Sequence, residues 1–233
     1  MKKTLIVLAV LLINSIAGTQ QASAQIAGES WLSSFTKRND TQGVQFGVRA
    51  GLNFPTLNGE QDEGNSSYLG VHFGLIVDIP LSSNLYIQPG LYLENKGCIY
   101  KYYDYEDGAN VSVRNGLAYI DIPVLLSYRI DLSDALQLHL NAGPFVGFGV
   151  FGTITYTWSM PGYGDETDKD DAFGKDSSFS TFDTGLSLGA GLSFGKIYCG
   201  LKYDFGLVNI MKEDTDYYAR KTGTFGITLG LNF

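Results

Sequence analysis

The chain has 233 residues and a formal net charge of −8, with 29 glycines and only 6 prolines. Taking away a leader that contains Lys2 and Lys3 leaves a net charge of −10, which argues against nucleic acid as a partner because phosphate needs basic surface. The length suits one barrel domain, and a glycine share above the usual ~7% suits a narrow lumen that seats large side chains opposite small ones.

Residues 1–24 read as a signal peptide: Lys2 and Lys3, the apolar run Leu5 to Ile13, then the small-residue cleavage pattern Ala22-Ser23-Ala24. The apolar run falls short of the ~20 residues a membrane helix needs. Residues 25–42 are polar and unpatterned, a periplasmic lead-in with Trp31 and Phe35 placed to touch a membrane or barrel surface. Residues 43–233 form the predicted barrel domain. Its eight segments of period-two alternation are Val44 to Phe54, Tyr68 to Ile79, Leu85 to Lys96, Leu117 to Arg129, Leu136 to Val150, Thr181 to Phe194, Ile197 to Leu207 and Thr224 to Phe233. Each approaches the ~9–11 residues of a tilted spanning strand. Pro89, Pro123 and Pro144 lie inside three of them and predict a bulge or local break.

The last segment shows the pattern most clearly. Phe225, Ile227, Leu229, Leu231 and Phe233 share one face, and Gly226, Thr228, Gly230 and Asn232 share the other. The connections alternate in length: Pro80 to Asn84, Ile130 to Ala135 and Gly195-Lys196 are short, whereas Pro55 to Ser67, Gly97 to Gly116, Phe151 to Ser180 and Val208 to Lys221 are long and polar. Short turns at one rim and long loops at the other characterise bacterial outer-membrane barrels. The fold class is therefore all-β, an eight-stranded antiparallel up-and-down transmembrane β-barrel, with both termini periplasmic and four loops facing outward. A soluble lipocalin-like barrel would turn the same alternation inside out. The polar face here is too rich in glycine and too sparse in charge to serve as a solvated exterior. Tyr68, Tyr128, Phe148, Phe194 and Phe233 are expected in an interfacial aromatic girdle.

Three stretches, Phe46-Gly-Val-Arg-Ala-Gly-Leu-Asn-Phe54, Leu85-Tyr-Ile-Gln-Pro-Gly-Leu91 and Tyr119-Ile-Asp-Ile-Pro-Val-Leu-Leu-Ser-Tyr128, resemble the strands of the PorT-type outer-membrane β-barrel family. The likeness runs from Val44 to Phe233. It implies an eight-stranded barrel in the outer membrane and little about activity. The named member of that family is similar to a secretion-apparatus component.

Seven charged residues fall on the predicted lumen face. Arg49, Glu94, Asp121, Lys202 and Asp204 are expected at middle or upper depth, and Asp78 and Arg129 near the periplasmic rim. Buried charge must be paired, so a cross-lumen network is expected in a bore that eight strands leave nearly filled. The two histidines, His72 and His139, read as satisfied lumen residues, and no His-Glu-x-x-His or Gly-Lys-Ser/Thr motif is present. No catalytic, cofactor-binding or metal residue is assigned. Asp165 to Asp171 reads as an acidic, solvated or lipopolysaccharide-bridging loop without the glycine and terminal glutamate of a calcium loop. Tyr100 to Asp107 suits either a recognition surface or a strand that continues above the membrane. Cys98 and Cys199 are expected near opposite ends of the barrel, without a disulfide. These features point to a non-enzymatic barrel that anchors long loops for interaction or envelope structure. The alternatives are a narrow solute channel, a component of an envelope secretion assembly, or a lipid-modifying enzyme using a histidine. Expected partners are outer-membrane lipid and lipopolysaccharide and an envelope protein, with no nucleic acid.

Overall fold

A computed structural model describes residues 43–59, 65–105, 108–160, 162, 164–174, 177–212 and 220–233. The leader 1–24 and the lead-in 25–42 lie outside the described residues. Ten strands are present among the described residues: β1 (Gln45–Asn58), β2 (Asn65–Ser66), β3 (Gly70–Pro80), β4 (Leu85–Asp104), β5 (Ala109–Asp131), β6 (Leu136–Met160), β7 (Gly164–Asp171), β8 (Phe182–Phe194), β9 (Ile197–Gly206) and β10 (Lys221–Asn232). Eight of them close a ring in the order β1-β3-β4-β5-β6-β8-β9-β10, every neighbouring pair antiparallel. The seam joins β1 to β10 from Gly47↔Asn232 to Asn58↔Lys221 and is finished by Phe233 N–H donating to the Phe46 carbonyl at 2.7 Å. A closed ring leaves no barrel edge to template aggregation.

Period-two alternation becomes sidedness once the ring closes. Around the short-turn half, the outward positions are apolar: Phe46, Phe73, Leu75, Leu91, Leu126, Leu188, Leu201 and Leu229 are all exposed. The inward positions Arg49, His72, Asp78, Glu94, Asp121, Arg129, His139, Asn141 and Ser187 are buried. This is the reverse of a lipocalin-like barrel, whose apolar face lines the cavity. Tyr128, Phe148, Phe194 and Phe233 lie on the outer surface as expected of a girdle. Tyr68 does not. It precedes β3 and is buried, donating its hydroxyl to the Lys96 carbonyl at 2.6 Å beneath the Arg114 guanidinium.

The prolines remove ladder pairs without moving the register. Pairing between β3 and β4 lapses from Ile76↔Gly90 to Ile79↔Ile87, opposite Pro89. Pairing between β5 and β6 lapses from Pro123↔Phe145 to Leu126↔Ala142, opposite Pro144. A missing N–H costs local hydrogen bonds, and the alternation on either side holds the strands in place.

Three strands run well past the expected ends. β4, β5 and β6 have 20, 23 and 25 residues, so most of Gly97 to Gly116 and the first third of Phe151 to Ser180 are strand where loops were expected. Tyr100 to Asp104 belongs to β4, the continuing strand of the two readings for that stretch; Glu106 and Asp107 lie outside the described residues. Asp165 to Asp171 is also corrected from loop to strand: β7 pairs with β6 from Thr153↔Asp171 to Met160↔Gly164. The sequence signal failed at a bulge. Between Ala118↔Phe151 and Tyr119↔Gly149 the β5–β6 register shifts by one, and Val150 is the extra residue. Val150 and Phe151 are consecutively exposed, at 46% and 61%. The slip swaps faces, so buried residues sit at odd positions below (His139, Asn141, Phe145) and at an even position above (Ile154).

Candidate functional site

The lumen is stacked in tiers of paired charge. At the short-turn rim, Asp78 receives Arg129 at 2.5 Å and the Gln88 amide at 2.6 Å, while the Arg129 guanidinium lies 3.8 Å from the Tyr86 ring centre. Above it, Arg49 donates to Asn232 Oδ1 at 2.7 Å and stacks on Tyr198 at 4.2 Å. Arg49 therefore lies lower than its expected middle or upper depth, because β1 pairs it with Gly230 near the end of β10. The glycine opposite leaves room for the guanidinium: a Cβ at Gly230 would stand 2.6 Å from Arg49 side-chain atoms.

Mid-lumen, Lys202 bridges Glu94 at 2.5 Å and Asp204 at 2.8 Å. His72 Nε2 lies 3.0 Å from Thr228 Oγ1. The uppermost tier centres on Lys96, which binds Asp121 at 2.8 Å and Asp183 at 2.7 Å, with Thr222 also donating to Asp183 at 2.9 Å. Sequence reasoning left Lys96 and Asp183 out of the charged set. Both sit on the polar face by alternation, but at the ends of predicted strands, where a charge reads as a solvated rim residue. β4 runs on to Asp104 and so encloses Lys96, and Asp183, the second residue of β8, is buried against it.

These contacts fill the bore. The cavity between Arg49, Tyr92, Glu94, Asp121, Lys202 and Asp204 holds about 40 Å³, space for roughly three water molecules at ~10–15 Å³ each. Pairing matters here because an uncompensated buried charge is far costlier than the pair.

Above the Lys96 tier the interior becomes apolar. Leu57 of β1, Cys98 of β4, Leu117 and Tyr119 of β5 and Ile154 of β6 pack with Ala172, Phe179 and Ile210. The last three come from segments folded back over the mouth. Ser180 N–H donates to the Ile210 carbonyl at 2.7 Å, Lys212 N–H to Ser178 at 2.9 Å, and Tyr119 hydroxyl to Ser180 at 2.8 Å. Ile210 and Ala172 are wholly buried. An apolar cap thus closes the polar lumen at the hairpin rim. Cys98 is buried in this cap, whereas Cys199 is exposed on the outer surface of β9, and the two form no disulfide with each other.

Beyond the cap, β2, β4, β5, β6 and β7 continue as an open sheet. Tyr100 and Tyr102 stand 5.6 Å apart, and Tyr156 stacks on Trp158 at 5.9 Å and 18°. Burial, and then the charge of nearby Asp170, hold the Tyr156 hydroxyl above its ordinary pKa. No group of three or more metal-ligating side chains occurs among the described residues. In β7 the carboxylates alternate between faces, which separates Asp165 and Asp171 from Glu166, Asp168 and Asp170.

Residues 23–212 match the model of the outer membrane protein beta-barrel domain family. The chain belongs to this family. Outer-membrane barrels with solved structures resemble it at low identity. A major outer membrane protein from Thermus thermophilus is 12% identical, with 82% of this chain and 100% of that chain covered and a TM-score of 0.46. OprG from Pseudomonas aeruginosa is 13% identical, with 85% and 99% covered and a TM-score of 0.42. Ail, the attachment invasion locus protein of Yersinia pestis, is 13% identical, with 82% and 99% covered and a TM-score of 0.39. A search of curated proteins finds no match. The apolar belt of this outer-membrane barrel faces lipid, and no lipid-facing charge interrupts it at the positions named above.

Proposed function

We propose that this protein is a non-enzymatic outer-membrane barrel whose spanning part is a plugged anchor and whose working part is the sheet above it. Residues 1–24 are the exported signal and 25–42 a periplasmic lead-in; the short turns and both termini face the periplasm, and the hairpins face outward. The observation that carries this reading is the double closure of the bore: paired charges leave about 40 Å³ of space, and the Leu57, Ile154 and Ile210 cluster covers the mouth. An anchor of this kind spends its sequence on rigidity and presents β4 to β7 at a fixed height for an interaction partner. His72 and His139 are buried in the bore, an arrangement unsuited to a lipid-modifying active site, which needs an open approach to substrate. The PorT-like stretch Tyr119 to Tyr128 supports a related role as one component of an envelope assembly.

Conductance of the purified barrel in planar bilayers tests the reading. The plugged anchor gives no steady current. A stable ohmic pore would favour the narrow solute channel and overturn the anchor.

A further inference from the structure

The upper sheet sorts its charges by face. Directly opposed residues of an antiparallel pair lie on the same face, so the register defines rows across four strands. One row is Tyr102, Val111, Trp158 and Glu166; the next is Tyr100, Val113, Tyr156 and Asp168. Asp170, opposite Ile154, extends the same face. The reverse face carries Lys101 opposite Ser112, and Arg114 opposite Thr155, which faces Lys169. In these upper rows the three cations thus share one face, and the aromatic face holds carboxylates without a cation; Lys96, on the aromatic face of β4, lies lower and is already bound by Asp121 and Asp183. Lys212, on the cap, is already engaged by the Gly174 carbonyl and Ser177 Oγ.

The sheet is also open at one side. β7 bonds to β6, and among the described residues no strand pairs with its other edge. All eight of its residues are exposed. The Lys169 N–H meets a side-chain acceptor, the Asp168 carboxylate, at 2.8 Å. Charge on an exposed edge ordinarily repels like strands. The same charge admits a strand of opposite sign.

We propose that the free edge of β7 takes up an extended, cationic polypeptide segment of a partner by strand addition. This proposal rests on the display reading above. Main-chain hydrogen bonds along the edge would supply affinity, and alternate side chains would supply selectivity. Basic residues at positions i, i+2 and i+4 of the added strand stand over Glu166, Asp168 and Asp170. The Tyr156–Trp158 stack one strand further in offers π faces to their cationic heads. A segment with the same lysines in one uninterrupted block turns half of them to the face of Lys169 and loses that match.

The test uses the full barrel in lipid nanodiscs and two eight-residue peptides of equal composition, one alternating lysine with valine and one with its lysines in a block. The alternating peptide is expected to bind about fivefold or more tightly, since each matched cross-strand pair contributes separately. Replacing Glu166→Gln with Asp168→Asn abolishes that preference. Replacing Asp165→Asn with Asp171→Asn, the same loss of charge on the reverse face, preserves it. Of two alternating peptides N-methylated at opposite sets of alternate amides, one loses binding and the other keeps it. Equal binding of alternating and blocked peptides, or retained binding by both methylated forms, overturns strand addition. Selective uptake of a neutral glycan in place of the peptide assigns the aromatic rows to sugar and also overturns it. Absence of selective binding by a non-conducting barrel removes the β7 proposal alone, whereas steady conductance removes the display reading on which it rests.

Discussion

The belt and the sheet above it are built from the same strands with opposite interiors. In the belt, Arg49, Glu94, Asp121 and Lys202 point inward while Phe73, Leu126 and Leu229 meet lipid. Above the bulge, Ile154 points inward with Leu57 and Leu117, while Thr153 and Lys101 are exposed. The difference follows the solvent outside. Hydrocarbon accepts apolar side chains and leaves polar ones to satisfy one another across the bore; water imposes the ordinary apolar core. Two devices make the change. β6 inserts Val150 and flips its parity, whereas β1 keeps its parity and changes residue type from Asn53 to Leu57 along one inward face.

The largest expected effect comes from leaving charge unpaired inside the belt. Lys96→Met strands Asp121 and Asp183 in a tier where all three side chains are almost wholly buried. It should cost about 3–5 kcal/mol, the usual consequence of removing one partner of a buried pair. Urea unfolding in lipid vesicles measures it, and adding Asp121→Asn and Asp183→Asn should recover most of the loss. No recovery would mean that Lys96 acts by packing alone. In the sheet above, Ile210→Ala removes buried methyl groups from the cap and should cost about 2–4 kcal/mol. The loss should appear as faster hydrogen exchange around Ser180 and Lys212, with belt amides unchanged; equal acceleration in both regions would show that belt and sheet unfold as one unit.

Deleting both Val150 and Phe151 sharpens the same contrast by leaving β6 one residue short of its ladder above Gly149. Ile154 then turns outward, and the upper sheet should become protease-sensitive while the belt keeps its resistance. Deleting Val150 alone only straightens the bulge, keeps Ile154 opposite Asn115 and should leave both regions resistant. The smallest expected effect concerns the two thiols. A membrane-permeant maleimide should label Cys199 on the lipid face and spare Cys98 in the cap, each by several-fold relative to the other, read by mass spectrometry of the folded protein.

Much of the belt was legible in the sequence because one rule governs it. Alternation placed Arg49, Asp78, Glu94, Asp121, Arg129, Lys202 and Asp204 on the inward face, and the eight separate alternating segments set the strand count of the ring. Partners were harder, since Lys96 reaches Asp183 across 87 residues, and only ring closure brings β4 opposite β8. The upper sheet was illegible for a different reason. Its core draws one or two residues at a time from β1, β4, β5, β6 and the segments holding Ala172, Phe179 and Ile210, and the bulge at Val150 ends the periodicity just where β6 leaves the belt. Asp165 to Asp171 carries no apolar face, so nothing in its composition signals a strand; its partner β6 supplies the order.

Nitroxide labels placed one at a time from Phe148 to Tyr156 would test this change of sidedness most directly, with accessibility to oxygen and to a water-soluble nickel reagent measured in vesicles. Phe148, Val150 and Phe151 should be open to oxygen, with the two consecutive maxima marking the bulge; Thr153 should meet the nickel reagent, and Ile154 neither. Unbroken period-two accessibility through Val150 and Phe151, or a water-accessible Ile154, would contradict the account.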